Sequence, residues 1–502
     1  MGDRVAPFQD RISRDGFDFA RVILKRTIAN LPPMSDTRAI MEVTEGTEED
    51  RKFEASLNSV LHMDKRDYPA YVGGLKVASG HEFPVASPVD NSIIFGTFQE
   101  PEEGLTDRAV IVAKEAFAEW SATEPAARVE IFDKALDTII RQKYRIAALV
   151  TLASGMTRDE ALDEVERLIE VIDDGCQDLD DGIEGKPSGV WAILSEYNSP
   201  LASPIGYAAA AMMAGNTVVL IPSKYTPVPV YFLYDIFEKA GLPDGVFNII
   251  TDRFDSTTNS LANNMDLAGI VAAGSGDRLE NLMFLQADDE LRFINEMKGM
   301  NPILVYRPGN MKDAARKVAT SAFTFAGQSV YSCSKVVVTI NEQKQFLDEL
   351  LAVVREFTID DPAEPGTDMG PVISKAVYDR FDVLVDDNFD YLVYGGKRVL
   401  NELTGAGYYT TPAIFVGAPE DEDINNMDSS VPVLTVQIVE DLDTAIDVIN
   451  CSEYGLSAGV ITKDDAVADQ FIREVNADEI FVNDPSNIIG AASKAKVENF
   501  LD

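Results

Sequence analysis

Short apolar runs alternate with amphipathic segments through most of this chain. Beyond residue 190 the runs have the length and composition of buried strands, and the segments between them repeat apolar residues at helical spacing. The predicted strands lie at 190–194, 217–221, 246–250 and 269–272, and the predicted helices at 204–213 and 230–240. This alternation predicts a parallel, doubly wound α/β sheet, which binds ligands at the carboxyl ends of its strands.

A second alternating series runs from 302 to 462 and predicts another α/β domain. Before the first series, helical spacing of apolar residues predicts helices at 106–117, 126–140 and 159–172. The predicted organisation is an N-terminal helical extension at 1–67, a Rossmann-like cofactor-type domain at 68–295, a catalytic-type α/β domain at 296–470, and a C-terminal strand with a truncated tail at 471–502 that returns to the first domain.

The chain is strongly acidic, with 84 Asp and Glu against 43 Lys and Arg and a net charge of -41. Because phosphate binding requires clustered basic residues, we expect no nucleic-acid partner. No apolar run is long enough to cross a bilayer and no secretory signal is evident, so we expect no membrane association and a cytoplasmic location. Three scattered cysteines and two histidines suggest neither a disulfide framework nor a metal site.

Residues 321–328 read SAFTFAGQ and lead into SVYSCSK at 329–335. This stretch resembles the nucleophile loop of the aldehyde dehydrogenase superfamily, which in the Δ1-pyrroline-5-carboxylate branch reads S-A-F-x-F-x-G-Q-K-C-S-A-C-S-R. The catalytic cysteine of that loop falls on Val330, and the second, non-catalytic cysteine falls on Cys333. Further similar segments lie at 197–200, 214–220, 241–248, 364–373, 450–460 and 481–483.

The resemblance implies an aldehyde dehydrogenase-like fold with a Rossmann-type cofactor domain and a second catalytic domain. It also implies oxidation of glutamate semialdehyde to glutamate, a step of proline catabolism, with NAD or NADP. By the same resemblance Asn198 is the oxyanion donor and Glu296 the general base. From the residues alone, each has an ordinary structural alternative: Asn198 as a turn residue, and Glu296 as a carboxylate at the end of a strand.

The nucleophile position departs from the family. The side chain of Val330 cannot attack an aldehyde or carry a thioester. Cys333 lies three residues further on, a displacement of about 5 Å along a helical turn. Since attack needs the reacting atoms about 3–3.5 Å apart, we do not expect Cys333 to replace the missing thiol.

The family's cofactor segment K-P-S-E is Ile221, Pro222, Ser223 and Lys224 here. The resemblance assigns Ser223 and Lys224 to a vestigial adenosine subsite, with the lysine replaced by Ile221 and the carboxylate by Lys224. Lys224 has two interpretations: it receives the 2′-phosphate of NADP, or it is an ordinary solvated lysine.

A second cofactor segment places Gly274 and Ser275 at a helix start, where backbone N–H groups suit a pyrophosphate. The family glycine expected after them is Leu279, which would crowd a closely approaching ligand. Asp428 stands in a segment similar to the family's E-I-F-G-P, with a shorter carboxylate and no phenylalanine. We therefore expect NAD or NADP, the cofactors that the family implies, to bind weakly or not at all.

Two segments that close the family's site and assemble its oligomers are short in this chain. The glycine-rich loop that grips the substrate carboxylate is reduced between 483 and 494, and the oligomerisation hairpin is reduced to an acidic turn around 180–182. We therefore expect a monomer or a weak dimer, with no identified small-molecule or protein partner.

Three functions are compatible with these residues. The first is a non-catalytic binding or regulatory homologue of pyrroline-5-carboxylate dehydrogenase. It is favoured because the family's residues are missing at the nucleophile, cofactor and anchor-loop positions together. The second is a working NAD(P)-dependent aldehyde oxidoreductase. The third is a repurposed enzyme that uses Glu296 and Asn198 without a thiol. Nucleotide binding distinguishes the first from the second.

Overall fold

Two seven-stranded sheets and one three-stranded sheet organise the protein. The computed structural model describes residues 44–254, 256–286, 291–400, 406–420, 422–426, 430–452, 454–486, 490 and 492–502. Most of the predicted N-terminal extension therefore lies outside the described residues. Within the described part of that extension one helix forms, Glu48–Leu61, whose first turn is capped by the side chain of Thr47.

The first two sheets contain strands β1 to β10. In chain order they are Arg66–Tyr68, Ala70–Val72, Leu75–Val77, Glu82–Ala86, Ile94–Gln99, Val190–Ser195, Thr217–Ile221, Phe247–Ile249, Leu267–Gly274 and Arg292–Met297. The larger sheet has the order β10-β9-β6-β7-β8-β2-β3. The strands from β10 to β8 are parallel to one another, whereas β2 is antiparallel to both of its neighbours, β8 and β3. The order reverses between β6 and β9, so their carboxyl ends form a topological switch point.

Helices α1 to α9 belong to the same part of the fold. They are Glu48–Leu61, Leu105–Trp120, Pro125–Arg141, Lys143–Ser154, Arg158–Asp180, Ala202–Met213, Pro227–Ala240, Ser256–Ala262 and Asp277–Gln286. The helix α5 begins at a capping box, in which Thr157 and Glu160 each satisfy a backbone N–H of the first turn. The helix α6 is buried along its whole length, as its alanine-rich sequence allows.

The third sheet contains strands β11 to β17, in the order β13-β14-β15-β12-β11-β16-β17. The strands are Ile303–Val305, Lys335–Thr339, Leu392–Gly395, Ala413–Val416, Val433–Val439, Ser457–Ile461 and Glu479–Val482. Only β13 is antiparallel to its neighbour. The helices of this domain, α10 to α14, are Met311–Phe323, Gln343–Arg355, Lys375–Asp387, Leu442–Asn450 and Asp465–Glu474.

The two predicted α/β domains are therefore present, and each contains a mostly parallel sheet. The strand β10 includes Glu296, so the first sheet extends just past the boundary predicted at 296. The last strand, β17, pairs with β16 in the third sheet, and the tail after that strand contacts the first domain at Lys186.

No strand pair forms between α5 and β6, where the family hairpin is expected. Residues 181–189 instead contain one isolated bridge, from Pro187 to Leu501. The backbone N–H of Asp502 also donates to the carbonyl of Lys186 at 2.9 Å. The tail of this chain thus pairs with the short connection. Among the described residues, no helix combines the length and apolar character that a membrane crossing requires.

Candidate active site and cofactor-type groove

The switch point between β6 and β9 brings two predicted segments together. Glu196 follows β6 directly, and its backbone N–H donates to the carbonyl of Ala273 at 2.9 Å. Gly274 ends β9 with φ +115°, and a Cβ built there would lie 2.7 Å from the Cβ of Glu196 and 3.0 Å from Oδ1 of Asn198. Only glycine fits this close approach of the two strand ends.

A buried ion pair lies at this switch point. Arg278 donates to the carboxylate of Glu196 at 2.9 Å, with the two side chains 3% and 11% exposed. The same guanidinium also donates to the carbonyl of Ser195 at 2.8 Å, and the hydroxyl of Ser223 lies 3.4 Å from Glu196. Ser223, Gly274 and Ser275, which the family resemblance assigns to a cofactor, define what is here called the cofactor-type groove. This groove is therefore occupied in part by the charged side chains of Glu196 and Arg278.

Asn198 lies deep in the molecule and both ends of its amide are engaged. Its Oδ1 accepts from the backbone N–H of Ser275 at 2.9 Å, and its Nδ2 donates to the carbonyl of Gln328 at 2.7 Å. The side chain joins the groove to the nucleophile loop. An oxyanion would have to displace the carbonyl of Gln328 from Nδ2, or accept the second N–H of Nδ2, which lies 3.5 Å from the hydroxyl oxygen of Ser430.

Glu296 is fully buried and its carboxylate is closely surrounded by donors. Its two oxygens accept from the backbone N–H groups of Ala492 at 3.1 Å and Ser493 at 2.9 Å, and from the hydroxyl of Ser203 at 3.1 Å. Burial raises the pKa of Glu296, while these hydrogen bonds oppose the increase. The shortened anchor segment thus lies directly against the carboxylate that the family uses as a base.

Two phenols complete the surroundings of this carboxylate. The hydroxyl of Tyr331 lies 3.4 Å from Glu296 and 2.8 Å from the hydroxyl of Ser493. Desolvation, followed by the negative charge of Glu296, raises the pKa of both Tyr207 and Tyr331. The phenols therefore stay protonated, and the hydroxyl of Tyr331 donates to the carboxylate, whereas that of Tyr207 has no hydrogen-bond partner among the described residues.

The nucleophile loop has an unusual backbone. Phe325 and Ala326 both have φ 51° and ψ 40°, and Gly327 follows at φ +69°. A Cβ at Gly327 would lie 2.3 Å from the carbonyl oxygen of Val431. The buried carboxyl of Glu160 accepts from the N–H of Phe325 at 2.6 Å, and burial raises its pKa to about 7.

Two amide side chains hold the backbone on either side of the nucleophile position. Gln328 accepts from the N–H of Ile373 at 2.8 Å and donates to the carbonyl of Phe325 at 3.0 Å. Asn301 donates to the carbonyls of Val330 at 2.9 Å and Ser332 at 3.0 Å. The loop is thus fixed in place although its central side chain is a hydrocarbon.

Neither residue considered for the nucleophile offers a reactive thiolate. Val330 is fully buried in a small apolar cluster with Tyr331 and Leu456. Cys333 is also buried, its Sγ lies 3.1 Å from the carbonyl oxygen of Lys335, and desolvation raises its pKa to about 12. A thiol in such surroundings stays protonated at neutral pH.

The groups expected to contact a pyrophosphate already have partners within the protein. The N–H of Ser275 is bonded to Asn198, and the hydroxyl of Ser275 accepts from the hydroxyl of Ser430 at 3.0 Å. Leu279, which stands where the family has glycine, is fully buried in the apolar core, so its side chain does not face the groove, contrary to the prediction from the sequence. The carboxylate of Glu196 is compensated by its ion pair with Arg278.

The remaining predicted residues are placed as follows. Ser223 faces the groove, whereas the ammonium of Lys224 donates to the carbonyl of Arg253 at 3.2 Å. Asp428 lies outside the described residues. Within the described ranges, no group of three His, Cys, Asp or Glu side chains is placed to hold a metal ion.

The sequence profile of the Aldehyde dehydrogenase family matches residues 76–494. The chain belongs to the aldehyde dehydrogenase family. It is 28% identical over 460 residues to a 1-pyrroline-5-carboxylate dehydrogenase of Geobacillus sp. (strain WCH70), covering 86% of this chain and 88% of that one. It is 31% identical over 438 residues to an alpha-ketoglutarate semialdehyde dehydrogenase of Haloferax volcanii, covering 82% and 90%.

Solved structures agree with this family fold. A 1-pyrroline-5-carboxylate dehydrogenase of Thermus thermophilus superposes with a TM-score of 0.85 at 23% identity, covering 94% of this chain and 98% of that chain. A Thermus 1-pyrroline-5-carboxylate dehydrogenase with bound NAD gives a TM-score of 0.83 at 24% identity, covering 91% and 92%. These comparisons confirm the predicted aldehyde dehydrogenase-like fold and the resemblance to the pyrroline-5-carboxylate branch.

The structure brings Asn198, Ser275 and Gln328 into one connected network, and places Glu296 against Ser493. Sequence reasoning missed the ion pair of Glu196 and Arg278, because a single Glu and Arg far apart in the chain carry no visible signal. It also missed that Asn301 donates to the carbonyls of Val330 and Ser332. Asn301 ends the segment 296–301, which is similar to the family's E-x-G-G-K-N.

Proposed function

We propose that this aldehyde dehydrogenase family member is a binding or regulatory homologue that no longer oxidises aldehydes through a covalent thioester. The observation that carries the proposal is Val330 at the nucleophile position, held by the same loop backbone that would present a thiol. A saturated side chain offers no lone pair for attack on a carbonyl carbon.

Two further observations support the loss of catalysis. The general base candidate, Glu296, is already engaged by hydrogen bonds from the backbone N–H groups of Ala492 and Ser493. The ion pair of Glu196 and Arg278 lies in the cofactor-type groove. Loss of two or three cofactor contacts, at about 1–3 kcal/mol each, would move a micromolar dinucleotide site towards millimolar.

A second candidate is a repurposed NAD(P)-dependent or hydrolytic enzyme that uses Glu296 and Asn198 without a thiol. It is favoured by the burial of Glu296, which raises the pKa of this carboxyl and so makes it a stronger base than an exposed glutamate. By their names, two relatives act on 1-pyrroline-5-carboxylate and on alpha-ketoglutarate semialdehyde, so these substrates are the ones to test.

The test combines turnover with binding. Purified protein is given glutamate semialdehyde with NAD or NADP, and nicotinamide reduction is followed by absorbance, while calorimetry measures dinucleotide binding. We expect no turnover and no binding in the low micromolar range. Turnover that is lost in Cys333→Ser would overturn the proposal, whereas turnover that survives in Cys333→Ser and disappears in Glu296→Gln would favour the second candidate.

Assembly and location are part of the same proposal. The absence of a strand pair between α5 and β6 in the described residues supports a monomer or weak dimer, since the family hairpin would otherwise extend a neighbour's sheet. Light scattering at low and high salt checks this state. All three cysteines are free thiols, which supports a reducing cytoplasm.

A further inference from the structure

A pocket of about 410 Å³ lies beside the cofactor-type groove but is separate from it. Its walls come from β4 and the turn after it, from the loops after β7 and β8, and from the start of α12 with Tyr408. Ser223 directs its hydroxyl at Glu196 in the groove, whereas the next residue, Lys224, lines the pocket. Neither Glu196 nor Arg278 contributes to the pocket wall.

The charge of this pocket is opposite to that of the chain. The sequence has 84 acidic residues, yet no Asp or Glu of the described residues lines the pocket, which carries Lys224 and Arg253. Neither cationic group forms an ion pair with a described carboxylate, although both lie close enough to Glu100, outside the wall, to oppose the rise that burial causes in the pKa of its carboxyl. Inside the wall the two cations favour an anionic ligand.

Aromatic rings stand next to both cations. The guanidinium carbon of Arg253 lies 5.9 Å from the ring centre of Phe83 and 5.4 Å from that of Phe254, and the ammonium of Lys224 lies 5.7 Å from that of Tyr225. Phe254 is 74% exposed, which is unusual for a phenylalanine without a partner surface. Phe83 itself is buried, so the rings of Tyr225 and Phe254 provide the faces on which a flat ligand can stack.

The polar side chains of the wall already have partners. The hydroxyl of Ser87 donates to the carbonyl of Leu152, the amide of Asn91 donates to the carbonyl of Ala406, and the hydroxyl of Ser374 accepts from the N–H of Val377. A sugar would therefore find few free hydrogen-bonding groups. This disfavours a nucleotide and favours a compact ring with one anionic group.

We propose that this pocket binds a small planar aromatic acid, with its ring against Tyr225 and Phe254 and its anionic group between Lys224 and Arg253. The inference goes beyond the proposed loss of catalysis and does not depend on it, because Val330, Glu296 and the groove residues lie outside the pocket. Binding to the intact chain tests it without any assay of turnover.

The probe is anilinonaphthalene sulfonate, a fluorescent aromatic anion, with the neutral phenylnaphthylamine as its uncharged counterpart. We expect the anion to bind with a stoichiometry of about one, and Lys224→Ala and Arg253→Ala each to weaken it by about tenfold, as for loss of a charge-assisted contact. Phe254→Ala should weaken both probes. Lys344→Ala is the matched control, since that lysine is exposed on α11 and pairs only with Asp348.

Competition then assigns the ligand class. Naphthoate should displace the sulfonate probe, and adenosine monophosphate should not. Unchanged anion affinity in both Lys224→Ala and Arg253→Ala, or an equal loss in Lys344→Ala, would overturn the site. Displacement by adenosine monophosphate at the same concentration as naphthoate would overturn the assignment to an aromatic acid.

Discussion

The nucleophile loop and the cofactor-type groove are held together in different ways. In the loop, the amide side chains of Gln328 and Asn301 hold a backbone whose central side chain is the hydrocarbon of Val330. In the groove, Glu196 and Arg278 form a buried ion pair. The loop depends on hydrogen bonds around an apolar centre, and the groove depends on two opposite charges.

The difference shows that the two regions depend on their central side chains to different degrees. A hydrocarbon at Val330 needs no new partner, because it is buried in an apolar cluster. A carboxylate and a guanidinium in the groove do need each other, since an unpaired buried charge is costly. The loop should therefore tolerate single substitutions at its centre better than the groove does.

The largest expected effect is in the groove. Arg278→Ala leaves Glu196 buried without its cationic partner and should lower the free energy of unfolding by about 3–5 kcal/mol. Denaturant unfolding followed by circular dichroism measures the loss. The double variant Glu196→Gln with Arg278→Met is the control and should recover most of it; an equal loss in the double variant would show that packing, not charge, dominates.

The next test concerns the hydrogen bonds from Asn301 to the backbone of the nucleophile loop, here called the clamp, and not the side chain at Val330. Asn301→Ala removes the donor to the carbonyls of Val330 and Ser332, and places alanine at φ 45°, so we expect a loss of about 2–3 kcal/mol. Asn301→Gly removes the same donor without backbone strain and should retain about 1 kcal/mol more stability. If both variants unfold at the wild-type midpoint, the clamp does not stabilise the loop.

The pH dependence of stability tests the turn that holds Asn198. The carboxyl of Glu164 accepts from the N–H groups of Leu201 and Ala202, and burial raises its pKa to about 7 from 4.5. The folded state binds more protons between these values, so the unfolding free energy should fall as pH rises from about 5 to about 7, by about 1–3 kcal/mol.

Glu164→Gln keeps the oxygen that accepts these bonds and removes the titration. Its unfolding midpoint should therefore change less over the same pH range than that of the wild type. Asp348→Asn, an exposed surface variant, serves as control. A slope equal to wild type in Glu164→Gln would assign the pH dependence to other buried groups, of which Glu160 is the first to test.

The smallest expected effect is on activity. Val330→Cys restores a thiol in a loop that is still clamped, but we expect no nicotinamide reduction with glutamate semialdehyde, because the groove and the segment against Glu296 are unchanged. Absorbance of the reduced nicotinamide measures this. Turnover at rates typical of enzymes, about 1 per second or more, would show that the contacts in the groove do not block the cofactor.

Most of the fold was predictable, because alternation of apolar runs and amphipathic segments is a local property of the sequence. The strand predicted at 217–221 is β7, Thr217–Ile221, and the helix predicted at 204–213 is α6, Ala202–Met213. The helix α4, Lys143–Ser154, was not predicted, since nearly all its residues are apolar and buried and no periodicity remains.

The positions of the site residues could be predicted from the sequence, but their hydrogen-bond partners could not. Resemblance to the family located Asn198, Glu296 and Val330 by alignment with known segments. It could not show that Ser493 would bond to Glu296, because that contact joins residues almost 200 positions apart. Long-range pairing of polar side chains depends on three-dimensional packing, which spacing along one chain does not record.

The left-handed turn at Phe325 and Ala326 has a consequence for mutation of the loop. Two such non-glycine residues cost about 1–3 kcal/mol each, so the surrounding contacts must hold them. Relaxing the turn would disturb the bonds that join Gln328 to Ile373 and Phe325, whereas exchanging the side chain at Val330 leaves these bonds unchanged. A single mutation can therefore change the chemistry of this loop while its backbone stays the same.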